Sequence, residues 1–147
     1  MEFDLGLQQV TSGMGTAREA AELGKAYERA LRYLGERSVE YARAYTPVRT
    51  GRLRDGWRYE VDLSSRTVRV KNDVPYARAV NDGHWQEEGR YVPQIGADGQ
   101  GRRLKRRYVA GRHMMERASM TARSYDMAQA AAMVREDIRR MLEGKKL

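Results

Sequence analysis

One long helical stripe limits this chain more than any other feature. Between Thr16 and Tyr45 the apolar positions Ala20, Leu23, Tyr27, Ala30, Leu31, Leu34, Tyr41, Ala42 and Tyr45 recur at spacings of three and four, the repeat that places side chains on one face of an α-helix. Thr16 can cap its start, and Glu19 three residues on completes a capping box. At 1.5 Å per residue such a helix reaches about 45 Å. With a single apolar face it needs a second layer to cover that face. Gly24 and Gly35 interrupt it, each at a cost of up to about 1 kcal/mol relative to alanine, so a bend or a close approach by another element is expected at both. Pro47 sets the end, because it denies Thr46 the helical conformation.

The second layer is written in period two. Trp57, Tyr59, Val61 and Leu63 alternate with Arg58, Glu60 and Asp62, and Val68 and Val70 alternate with Thr67, Arg69 and Lys71, across a turn at Ser64–Arg66. That pattern predicts an antiparallel hairpin with its apolar face on the long helix. The joining stretch TPVRTGRLRDGW stops the helix at Pro47, offers at Gly51 a conformation costly for other residues, and anchors the first strand through Leu53 and Trp57. It therefore sets the angle between helix and sheet.

Further on, VPYARAVNDG reads as a short helix opened by Pro75 at its first position and closed by Gly83. RYVPQI and RRLKRRYV are weaker strand candidates around GADGQG, with Pro93 confining the first to an edge. They predict a protruding basic hairpin arm over residues 84–109 with a mobile tip. From Gly111 the helical spacing returns, and Met127, Ala130, Ala131, Val134, Ile138 and Met141 line one face of a last helix. Residues 1–15 read as a flexible N-terminal segment. With no repeat and no linker composition, the expectation is a single domain, 1–147. Its fold class is α+β: a long N-terminal helix packed on a small antiparallel β-sheet of hairpins, with C-terminal helices.

Charge is distributed unevenly. The net charge is +8, yet residues 1–50 and 51–100 are each balanced, so the whole excess lies in residues 101–147. Arg102, Arg103, Lys105, Arg106 and Arg107 are nearly consecutive, which points to a polyanion or an acidic protein surface as partner, against the plainer reading of a solvated edge. The chain has no cysteine, which excludes disulfides, thiolate zinc sites and cysteine nucleophiles. No apolar run is long enough to span a bilayer, and the first ten residues lack a secretory pattern. His84 and His113 show no metal-ligand spacing, GADGQG lacks the lysine and hydroxyl of a phosphate loop, and no serine has a nucleophile-elbow context. Neither an enzyme nor a cofactor is expected. Met114, Met115, Met120, Met127, Met133 and Met141 crowd the last third, either as core filling or as an adaptable docking face.

Three segments in order, ARAYTPVRTGRLRDGW, NDVPYARAVNDGHW and YVAGRHMMERA, resemble the small neck and tail-completion proteins of tailed bacteriophages, the head-to-tail joining or minor tail-component proteins. The shared pattern is a helix ending before Pro, then Thr-Gly, one residue and Leu, a strand hairpin, a Tyr-Ala pair before a glycine turn, and a final helix entered through a short apolar motif. Pro47, Thr50, Gly51, Leu53, Tyr76, Ala77, Gly83 and Met114 occupy those places. The resemblance covers about residues 16–140. It implies a structural virion protein, assembled in the host cytoplasm, whose copies form a ring, six-fold, in the neck. There it would join the connector or head-closure protein to the tail tube or tail terminator protein, with DNA passing through and non-specific contact with it at the basic arm. The alternative is a stand-alone nucleic-acid-binding domain that uses RRLKRRY on phosphates and Trp85, Tyr91 and Tyr108 for stacking.

Overall fold

The computed structural model describes residues 1–8, 17–93 and 100–144. In chain order the elements are β1 (Glu2–Gly6), α1 (Ala17–Tyr45), the single turn α2 (Arg52–Asp55), β2 (Trp57–Asp62), β3 (Thr67–Asn72), α3 (Ala77–Asp82), β4 (Gly83–Trp85), β5 (Tyr91–Val92), β6 (Arg102–Arg103), β7 (Tyr108–Ala110), α4 (Met114–Tyr125) and α5 (Met127–Gly144). The class is α+β, as the two periodicities imply. The chain divides into two compact units, Met1–Val74 with Met114–Leu147, and Pro75–His113. No linker composition marks this division because the second unit is an insertion entered directly at Pro75 and left directly at His113.

In the first unit α1 buries Tyr27, Ala30, Leu31, Leu34 and Ala42. Ala20, expected on the same stripe, is exposed; the covered face runs back from Leu23 by four residues to the buried Glu19, since positions four apart lie one above the other. The helix packs on both β2 and β3 and on both C-terminal helices. Thr16, the expected cap, lies outside the described residues.

The sheet has the antiparallel order β1-β3-β2. Its register sets Leu5, Val68 and Val61 in one row and Phe3, Val70 and Tyr59 in the next. Leu5, Val68 and the α1 residues Tyr27, Ala30, Leu31 and Leu34 belong to one apolar core with Val134 and Ile138 of α5. The opposite face carries ion pairs: Arg69 Nε to Asp4 at 3.0 Å, Lys71 to Glu60, and Arg58 to Asp73.

Two expectations are corrected here. Residues 2–6 are not a flexible lead; they form β1, because β3 has a second edge and Phe3, Leu5 and Leu7 alternate correctly to cover it, with Leu5 only 1% exposed. Residues 9–15 of that lead lie outside the described residues. Leu63 does not extend the strand: the Asp62 carboxylate accepts bonds from the Ser64 amide at 2.9 Å, the Ser64 hydroxyl at 2.6 Å and the Ser65 amide at 3.3 Å, which pulls the chain into the turn and exposes Leu63.

The second unit is a ribbon beside α3. β4 pairs with β7 and β5 with β6, both antiparallel. Gly83–Trp85 as a strand is new; of the two weaker candidates, only Tyr91–Val92 and Arg102–Arg103 pair with each other, and the end of RRLKRRYV instead pairs, as β7, with β4. Pro75 does not open the helix; Val80 N–H bonds the Tyr76 carbonyl at 3.1 Å, so Tyr76 is the cap and Pro75 precedes it. Gly83 follows the helix with φ 87°, and a side chain there would meet Tyr108 Oη at 2.5 Å and the Val109 carbonyl at 2.7 Å. Most of the GADGQG tip lies outside the described residues.

Candidate functional site

Two places hold the residues singled out in the sequence. The first is the junction between α1 and the sheet. Thr46, 5% exposed, donates its hydroxyl to the Ala42 carbonyl at 2.6 Å and accepts the Trp57 indole N–H at 2.8 Å. The last turn of α1 is thereby fastened to the first residue of β2. Between them Gly51 takes a left-handed conformation, φ 87°, that starts α2. Leu53 is buried on that turn, and its carbonyl accepts a bond from Asn72 Nδ2 at 2.7 Å, while Asn72 Oδ1 accepts the Val74 amide at 3.1 Å. Gly56 completes the packing: a Cβ there would come within 2.9 Å of both Asn72 Oδ1 and Val74 Cγ2.

Pro47 and Thr50 are exposed on the outside of this loop, so their place in the pattern is to stop the helix and shape the chain rather than to fill the core. Arg54 donates to Asp55 at 2.8 Å, which holds the Asp55 carboxyl below its ordinary range against a smaller opposing effect of desolvation. Both groups face water, so the pair adds little to stability.

Thr46 and Asn72 were not singled out from the sequence. Asn72 carried a legible signal, a polar residue on the same face of β3 as Val68 and Val70. Asp126 carried none. It is 3% exposed at the break between α4 and α5, where its Oδ1 accepts Tyr33 Oη at 2.9 Å and Arg37 Nε at 3.4 Å from α1. Its Oδ2 is buried with no hydrogen-bond partner among the described residues. Burial, then the bond to Asp126, raises the Tyr33 hydroxyl above its ordinary value. This cluster ties the long helix to the C-terminal pair.

The second place is the basic ribbon. Arg102, Arg103, Lys105, Arg106 and Arg107 are all exposed; Arg102 and Arg103 lie on β6 and the other three in the connection to β7. Arg103 bonds the Gly89 carbonyl at 3.0 Å, and Gln86 bonds the Arg106 carbonyl at 2.7 Å. Trp85 and Tyr108 face each other across the ladder with ring centroids 5.0 Å apart.

The remaining pattern residues separate by unit: Pro47, Thr50, Gly51, Leu53 and the buried Met114 belong to the first, and exposed Tyr76, buried Ala77 and Gly83 to the second. Of the methionines, Met114 is buried, Met127 and Met133 pack against the core, and Met120 is 69% exposed. His84 lies on β4 and His113 just before α4. Among the described residues no three Asp, Glu or His side chains gather so as to hold a metal ion, and no helix is long and apolar enough to cross a membrane. A groove of about 700 Å³ between α1 and α5 is lined by Leu23, Ala26, Ile138 and Met141 with the Arg29–Asp137 ion pair.

No curated protein and no solved structure matches the chain significantly. A family model does, over residues 12–83, which include α1, the junction, the β2–β3 hairpin and α3. Through the segment that builds the junction, just under half of its length, the chain is similar to the family described as "Bacteriophage HK97-gp10, putative tail-component".

Proposed function

We propose that this protein is a structural component of a tailed-phage virion that works at the neck, as a tail-completion or head-to-tail joining piece. Its copies close head to tail into a ring, six-fold, between the connector or head-closure protein and the tail tube or tail terminator protein, and DNA passes along the axis. The work is geometric. A heterologous ring closes only if each subunit adds the same rotation, so the angle between helix and sheet must not vary from copy to copy.

The observation that carries this reading is the fastening of that angle inside the matched segment: the Trp57–Thr46–Ala42 relay and the Asn72 clamp on Leu53, all buried. Consistent with a piece that docks, β1 and β2 are the sheet's two outer strands among the described residues, and an outer strand offers backbone groups to a neighbour.

The test is imaging of particles produced without this protein. Tailless heads beside free tails are expected, with joining restored by adding the purified chain. Particles that join and deliver their genome normally in its absence would overturn the proposal.

A further inference from the structure

The ribbon of the second unit has a chemistry that the joining role does not require. Residues 75–113 carry a net charge of +4, half of the chain's excess in about a quarter of its length. Most charges of the first unit's sheet are cancelled by neighbours, whereas Lys105, Arg106 and Arg107 are exposed and make no ion pair among the described residues. Glu87 and Glu88 lie on the opposing limb, equally exposed and equally unjoined to the cluster.

Beside these cations lie two aromatic rings that the fold leaves in water: Trp85 is 75% exposed and Tyr108 44%, held side by side at an interplanar angle of 51°. The chain's other tryptophan, Trp57, is 1% exposed and bonded at its nitrogen. A tryptophan pinned on a ladder with its face free, next to unpaired guanidinium groups, combines the two elements of single-strand recognition: cations that follow the backbone and π-faces on which unpaired bases stack.

We propose that β4 and β7, with the 104–107 connection that leads into β7, bind single-stranded nucleic acid, with Lys105, Arg106 and Arg107 on phosphates and Trp85, backed by Tyr108, stacking on a base. An acidic protein surface would satisfy the cations alone and leave the aromatic pair unused. The inference does not depend on ring formation and can stand or fall without it.

The test uses the full-length chain and a labelled oligonucleotide of about 30 residues, long enough to span a single-strand site, single-stranded or duplex, followed by fluorescence anisotropy across a salt series. Single strands should bind more tightly than duplex. Replacing Lys105, Arg106 and Arg107 together by Ala should flatten the slope of log affinity against log salt by about 2, since each phosphate contact on a single strand contributes about 0.7. Trp85→Ala should weaken single-strand binding at least about fivefold, with duplex binding little changed, and Trp85→Phe should retain most of it. Circular dichroism verifies that these exposed substitutions leave the fold intact. No salt-dependent binding by the wild-type chain, equal binding by the triple variant, or binding to polyglutamate as tight as to the oligonucleotide with no effect of Trp85→Ala would each overturn the proposal.

Discussion

Gly24 and Gly35 lie on the same helix, eleven positions apart, and the tertiary structure gives them opposite meanings. Nothing lies within 4 Å of a Cβ built at Gly24, whereas at Gly35 a Cβ would penetrate the Tyr59 ring of β2. Gly24→Ala should therefore raise stability by about 0.5–1 kcal/mol through helix propensity alone. At Gly35 the same gain is outweighed by an overpacking cost of about 1–3 kcal/mol, so Gly35→Ala should lower it. Urea denaturation of the two variants, compared at their midpoints, checks the difference in sign. Thr46 allows a second test at this scale. Thr46→Val keeps the shape and removes the acceptor of a buried indole N–H, which should cost about 1–3 kcal/mol; a smaller loss would mean that Trp57 finds another partner. The pattern residue Pro47 was legible as a helix stop because its effect is local, while the role of Thr46 depends on a tryptophan eleven positions away.

The elements were legible where their period was long and clean. α1, β2, β3 and α5 follow from spacing alone, and α3 follows from its closing glycine, though it is Tyr76 rather than Pro75 that caps its start. β1 was not read, because five residues of alternating pattern at a terminus differ little from a loose end until an edge is available to pair with. Its energetic weight is testable: Leu5→Ala should destabilise the protein by about 2–5 kcal/mol, the range for emptying a buried leucine site, with thermal or urea unfolding as the measurement, whereas a disordered lead would show no change. α5 makes a prediction about pH. The hydrogen bond from Arg139, aided by Arg140, lowers the Glu136 carboxyl from its ordinary 4.5 to about 2, although burial opposes the shift slightly. Because the folded value lies below the unfolded one, the contribution is complete above the ordinary carboxylate range and is lost as pH falls from about 4.5 toward 2. The group is exposed and the effect small and salt-sensitive. Protection of the amides in the last two turns of α5, taken relative to their intrinsic exchange at each pH, should fall across that window, and Glu136→Gln should abolish most of this pH dependence.

For the whole molecule, the apolar core from Leu5 to Ile138 lies entirely within the unit Met1–Val74 with Met114–Leu147. Replacing residues 86–107 by a short turn that keeps the Gly83–Trp85 and Tyr108–Ala110 ladder should therefore leave cooperative unfolding of that unit intact, while removing the basic cluster. Calorimetry would show this as a retained single transition, and its loss would mean that the ribbon contributes to the core's stability. The same variant separates the two proposals, since the proposed joining rests on the 12–83 segment and the proposed nucleic-acid binding on the ribbon.

By itself the sequence determined the long helix, the period-two hairpin, the stop at Pro47 and the concentration of positive charge near the C-terminus, because each is set by residues within a few positions of one another. Only the tertiary structure decided that the first residues complete a sheet, that Thr46 and Asn72 lock the junction, that Asp126 ties α1 to the C-terminal helices, and that of two tryptophans one is core and the other is left in water. Those outcomes depend on which surfaces meet across long separations in the chain, and burial and hydrogen-bond satisfaction are settled only when they do.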